Sequence, residues 1–240
     1  RLGVRAAPAV PAVRGPLAAG DVAAAVAGEV LDGGVVRIIQ RVPLTATHGR
    51  VALSGLPRAG VLPGVGAFPG ECAVFLDTET TGLAGGTGTV AYVVGLARLR
   101  GAELEIAQYL MTGFSVEAAM LGAVRADLAD HDVLVSFNGK SFDAPLLQDR
   151  FRLTRQAHPL SAAGHADLLH PLRRLFARDW PDCRLATAEV RLLGFHRDGD
   201  LPGSEAPLVW SELVRGGHTA RLPALLRHNR WDLLSLAALW

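Results

Sequence analysis

Apolar residues fall in two different rhythms along the chain, and the change between them defines its organisation. Residues 73–80, 89–100 and 103–112 are short, dense apolar runs of strand-forming types, the last two joined by Gly101-Ala102 as in a hairpin. From residue 116 the apolar positions recur at three and four, which predicts a helix over 116–131 with Glu117 near its start. A short buried strand is expected at 133–137 and a helix over 145–155. Beyond Asp167 the pattern predicts helices interrupted at 180–183, 195–203 and 216–219, and closing with one over 222–239. Before residue 70 the signal is weaker. An Ala/Pro/Gly-rich arm covers 1–20, Asp21 is placed to cap a short helix over 22–31, 35–42 alternates like a strand, and 48–70 reads as loop. The expectation is an α/β fold with a mixed sheet flanked by helices, divided into an N-terminal arm and small appendage at 1–70 and a main domain at 71–240.

Composition permits a substantial core, since half of the 240 residues are hydrophobic. Apolar runs are short and broken by Arg, Gly, Pro or Asp, so no membrane span is expected. Cys72 and Cys183 are too few for a disulfide framework and lack metal-ligand spacing, which favours a reduced, cytoplasmic setting. The chain opens on Arg1 rather than Met, so whether its ends are native stays open. A net charge of +1 conceals a pattern: residues 71–144 hold four Arg/Lys against ten Asp/Glu, between flanks in which basic residues prevail. An acidic centre between basic flanks suits a metal-charged site approached by a polyanion, and it is also what uneven surface charge produces.

Three elements carry candidate chemistry. Asp77 and Glu79 lie two apart on a strand, so they share one face directly after apolar Val74, Phe75 and Leu76. Paired acids repel there unless a cation sits between them, and hard oxygen ligands select Mg²⁺ or Mn²⁺. Asn138-Gly139-Lys140-Ser141-Phe142-Asp143 runs from a strand through a Gly turn to an Asp at the mouth of a helix. His228 and Asp232 stand at i and i+4 on the last helix. Each element also has a plain structural reading: two solvated acids, a helix cap, and a local ion pair. Phe142 reads as core or as a stacking surface for a base, and Asp167 as the cap of the helix that follows it.

In order and type, the three elements resemble the motifs of the DEDD exonuclease superfamily, whose core is RNase H-like. DTETTG, from Asp77 to Gly82, resembles the first motif, and Asn138-x3-Phe142-Asp143-x-Pro145 the second. The third departs from the pattern: His228-x3-Asp232 combines the spacing of the tyrosine branch with the residue of the histidine branch. Five blocks, DTETTGLAGGTGT, FNGKSFDAPLL, HADLLHPLRRLF, GDLPGSEAP and HNRWDLLSL, resemble the YprB-type RNase H-like family. The resemblance implies a metal-dependent nuclease, 3′→5′ on single-stranded DNA or RNA. Asp77, Glu79, Asp143 and Asp232 would hold two Mg²⁺ or Mn²⁺ ions, with His228 as general base. Thr80, Thr81, Gly82, Asn138 and Lys140 would approach the nucleic-acid substrate. A structure-specific endonuclease and a catalytically silent nucleic-acid-binding module are the alternatives. No protein partner is indicated.

Overall fold

The computed structural model describes residues 17–56, 59–62, 66–69, 73–82, 88–129, 131–159 and 164–240. Along the N-terminal third the elements are α1 (Ala19–Val26), β1 (Glu29–Val30), β2 (Val36–Pro43) and two short hairpins. The hairpins are β3 (Thr47–His48) with β4 (Val51–Ala52), and β5 (Ala59–Leu62) with β6 (Gly66–Pro69). They occupy the stretch expected to be loop. Helix α1 starts before Asp21, which lies in its first turn rather than at its cap, so Ala18 takes the cap position. Most of the Ala/Pro/Gly arm lies outside the described residues.

Next come β7 (Ala73–Thr80), β8 (Ala91–Arg100), β9 (Glu103–Leu110), α2 (Glu117–Asp127), β10 (Val133–Ser136) and α3 (Asp143–Leu153). The chain continues through β11 (Gly164–Asp167), α4 (Leu169–Phe176) and α5 (Leu185–Ala188), which runs into a single π-helical stretch at Glu189–Leu193. It ends with α6 (Ala206–Gly216) and α7 (Leu222–Leu239).

Seven strands form one mixed sheet in the order β1-β2-β9-β8-β7-β10-β11. The first five strands of that row pair antiparallel, whereas β7-β10 and β10-β11 are parallel, so α2 and α3 serve as crossover elements on this half. Strand β2 pairs with β9 along its whole length, from Val36 opposite Leu110 to Pro43 opposite Glu103. The segment set apart at 1–70 therefore extends the main sheet by two strands, and the boundary drawn at residue 70 does not coincide with a break in the sheet.

Alternation along β7 decides where its acids go. Val74 and Leu76 enter the hydrophobic cluster that also holds α2 and α6, while Ala73 and Phe75 enter the cluster beneath Leu233, Leu236 and Ala237 of α7. Asp77 and Glu79 continue the second face, toward α7. Gly95 of β8 stands opposite Asp77, and a Cβ there would overlap Asn229 Oδ1 and meet Leu233 at 2.9 Å. Glycine at this point is what lets α7 lie close against the strand that carries the acids. Among the described residues, no helix is long and apolar enough to cross a membrane.

Candidate active site

The four motif acids converge at the carboxyl end of β7. Asp77 and Glu79 come from the strand itself, Asp143 opens α3, and Asp232 projects from α7. Thr78 donates its hydroxyl to Asp143 Oδ1 at 2.5 Å, tying α3 to the strand from the face opposite Asp77. Burial pushes the Asp77 and Glu79 carboxyls well above their ordinary range, and the charge of Asp232 then adds to both shifts. Asp143 is pushed up to about 6 by burial, against the Thr78 hydroxyl, which favours its ionised form. Asp232 is also raised by burial, with Arg197 and His228 opposing the shift. Glu79 is only 6% exposed, and its Oε1 is buried without a hydrogen-bond partner. Ligand atoms of Glu79, His228 and Asp232 lie within 4.8 Å of one another, close enough to share a cation.

The Asn138–Asp143 turn is braced from below. Asn138 adopts the left-handed conformation, φ 63°, and donates its backbone N–H to Asp167 Oδ1 at 2.7 Å. Lys140 N–H donates to Asp167 Oδ2 at 3.0 Å. A Cβ at Gly139 would overlap Ser136 Oγ and approach Asp143 Oδ2 at 3.2 Å, so this position needs glycine for room. Asp167, whose side chain is fully covered, also accepts from Leu169 N–H at 3.1 Å. Leu168 rather than Asp167 takes the cap position of α4, while Asp167, at the end of β11, reaches the first N–H of the helix and holds the loop that presents Asp143. The Lys140 side chain is exposed.

The remaining substrate candidates are mixed. Thr80 donates its hydroxyl to Gly82 O at 2.7 Å, and Thr81 Oγ1 accepts from Val90 N–H at 3.0 Å, so both hydroxyls are engaged within their own turn. Residues 83–87 of the glycine-rich turn lie outside the described residues. Phe142 is 54% exposed beside Asp143, which removes it from the core.

Two residues of the site escaped the reading of the sequence. Asn229 is fully buried, donates to Asp77 Oδ2 at 2.7 Å and accepts from Gln108 Nε2 at 2.8 Å. A signal for it existed: Asn229 falls on the apolar stripe of Leu222, Leu225, Leu226, Leu233 and Leu236, where a polar side chain needs a partner. Arg197 had no comparable signal. It donates to Glu189 at 2.6 and 2.8 Å, to Asp200 Oδ2 at 3.2 Å and to Asp232 Oδ1. Glu189, which is 1% exposed, also accepts from Ser235, whose hydroxyl is 2.8 Å from His48 Nε2 in β3. His48 is held neutral by burial, which pushes its pKa down to about 4. A buried polar chain therefore runs from the N-terminal hairpin to Asp232.

The model of the RNase H superfamily matches residues 74–240, and the chain belongs to that superfamily, in its YprB-type RNase H-like family. A curated relative, the uncharacterized protein YprB of Bacillus subtilis (strain 168), is 36% identical over 167 residues, covering 69% of this chain and 40% of the relative. The chain thus spans less than half of that protein's length. Among solved structures, the family B DNA polymerase from the hyperthermophilic archaeon Pyrobaculum calidifontis is similar over 70% of this chain and 24% of its own. Its TM-score is 0.53 at 17% identity, a likeness of fold. Escherichia coli ExoI, in its zinc-bound complex with single-stranded DNA, is similar over 66% of this chain and 43% of its own, with TM-score 0.43 at 16% identity.

Proposed function

We propose that this site hydrolyses phosphodiester bonds of nucleic acid with one or two divalent cations held by Asp77, Glu79, Asp143 and Asp232. The observation that carries the reading is the mutual proximity of these acids in a shielded setting, where each of Asp77, Glu79 and Asp143 feels the charge of Asp232, with Glu79 Oε1 buried and unpartnered. Burial and like charge oppose ionisation of all four, and an all-oxygen donor set matches the preference of Mg²⁺ and Mn²⁺. Bound ions would supply Lewis-acid charge to the phosphodiester and its leaving oxygen. Asn229 and Thr78 fix the orientations of Asp77 and Asp143, which prepares the cluster before a cation arrives. His228, one helical turn before Asp232, accepts the proton of the attacking water.

Substrate contacts follow from exposure. The Lys140 side chain is free to meet a phosphate, and Phe142 offers a ring to a terminal base. Asn138 acts through its backbone, which shapes the turn. The hydroxyls of Thr80 and Thr81 are engaged within the turn, so these two residues would act on the substrate by shaping the turn, and Gly82 by letting the substrate approach closely. Direction, 3′→5′ on single strands of DNA or RNA, rests on the resemblance of the motifs to those of DEDD exonucleases. The test uses end-labelled linear and circular single strands with Mg²⁺ or Mn²⁺. A 3′→5′ exonuclease releases mononucleotides from linear substrate and spares the circle. Cutting of the circle would establish the endonuclease alternative. Binding without cleavage of either form would leave a silent binding module.

A further inference from the structure

We propose that Asp200 is a positioning residue that turns His228 so that its Nε2 faces the acidic cluster, an inference that rests on the nuclease reading above. The two residues come from different parts of the chain: His228 from α7, and Asp200 from the loop before the short 3-10 turn at Gly203–Glu205. His228 Nδ1 lies 2.9 and 2.8 Å from the two oxygens of Asp200. Arg197 Nη1 is 3.2 Å from the same nitrogen and 3.2 Å from Asp200 Oδ2. An ionised carboxylate only accepts and a guanidinium only donates, so the shorter contact assigns the ring proton to Nδ1. Arg197 then serves Asp200 and fixes its orientation, leaving Nδ1–H to donate to the carboxylate.

The other ring nitrogen is thereby committed. With the proton of a neutral ring on Nδ1, Nε2 carries the lone pair, and it points at Asp232 Oδ2, 3.5 Å away. Both partners of the dyad are shielded, with side chains 16% and 19% exposed, so water competes weakly for the bond. The loop is built around the ring. Gly199 is left-handed at φ 61° and its carbonyl accepts from Arg227 of α7 at 2.7 Å, while a Cβ at Gly203 would come within 3.3 Å of His228 Nε2. Without Asp200 the imidazole is free to turn about its Cβ–Cγ bond or to move its proton to Nε2, and either change removes the lone pair from the cluster.

The experiment combines Asp200→Ala, Asp200→Asn, His228→Ala and the Asp200→Ala/His228→Ala double variant. Cleavage of a labelled single strand and Mn²⁺ binding are measured for each. Asp200→Ala is expected to lower kcat by about 10–100-fold, the scale of the loss when the hydrogen-bond partner behind a metal-ligating histidine is removed, with KM and Mn²⁺ affinity unchanged. Asp200→Asn, whose amide oxygen still accepts from Nδ1, should recover part of that loss. In the His228→Ala background, removing Asp200 should cost nothing further, because the two act as one unit. Additive losses in the double variant, or wild-type kcat in Asp200→Ala, would overturn the proposal. Nitrogen-15 spectra of the metal-free protein, recorded where the His228 ring is neutral, supply a readout independent of cleavage. A wild-type proton on Nδ1 that moves toward Nε2 in Asp200→Ala supports the dyad, and a wild-type proton on Nε2 refutes it. Absence of nuclease activity in the wild type would defeat the proposed function, and the spectra would still decide the role of Asp200.

Discussion

At the scale of residues, the site sets one working nitrogen against four acids. His228 touches Asp232 and Asp200 but leaves the Asp77–Asn229 contact alone, so if it acts as base rather than as a cation ligand, removing it should spare the fold and the cation site of the four acids. His228→Ala is expected to reduce turnover by about 10²–10⁴, the usual range for a positioned general base. Steady-state kinetics beside a Mn²⁺ titration would check this, and a variant with normal turnover but lower stability would reduce His228 to a helix brace. The acids and His228 were legible in the sequence because charged groups beside apolar strand and helix positions are conspicuous. Arg197 was not, since nothing in its local pattern separates it from the twelve other Arg residues after position 145. Its importance arises from a local contact with Asp200 combined with tertiary contacts to Glu189 and Asp232.

Among the elements, the contact of α7 with the sheet matters most, because α7 carries His228, Asn229 and Asp232 on one side of the strand that carries Asp77 and Glu79. Gly95 makes that contact possible. Gly95→Ala should force α7 away from β8, with a stability loss of about 1–3 kcal/mol, typical of overpacking, and weaker cation binding. Denaturant unfolding measures the first effect, and an unchanged midpoint would show that α7 is not seated as described. Helix α7 and strand β7 were legible to the residue because long or dense apolar patterns dominate there. Strand β11 was not, being four residues long, with only Ala166 and Asp167 buried and no alternating pattern to mark it. The β3–β4 hairpin was hidden similarly, as two residues per strand leave no period. It nevertheless delivers His48 to Ser235 and Arg50 N–H to the Leu193 carbonyl, 2.7 Å away, beside the π-helical stretch.

Across the whole molecule, clustered acids make stability depend on pH and on cations. Asp143 holds its proton to about pH 6 in the folded protein against an ordinary 3.8, and Asp77 and Glu79 are shifted in the same direction. The folded state therefore binds more protons than the unfolded one. This stabilisation is complete below about pH 4 and is lost as pH rises through about 6 and beyond. In chelator, melting temperature should fall from pH 5 to pH 8, and Mg²⁺ or Mn²⁺ should restore it. A cation at about 100 times its Kd contributes about 2.7 kcal/mol. A melting temperature indifferent to both variables would speak against the acidic cluster. For the basic flanks, affinity for single strands should fall with salt, at a log–log slope of about −0.7 per neutralised phosphate. Exposed Arg173, Arg174 and Arg178 are the substitutions to compare, because deleting residues 1–70 would also remove β2 from the sheet and His48 from Ser235.

The central claim is that Asp77 and its neighbouring acids hold the cations of a nuclease. Its most direct test is cleavage of a 5′-labelled single strand by wild type and Asp77→Asn, with Mg²⁺ and with chelator. Asparagine keeps the shape of the side chain and removes one charge from a crowded cluster, so the variant should stay folded. The account predicts shortened products only from wild type with the cation. Full cleavage by folded Asp77→Asn, or by wild type in chelator, would contradict it.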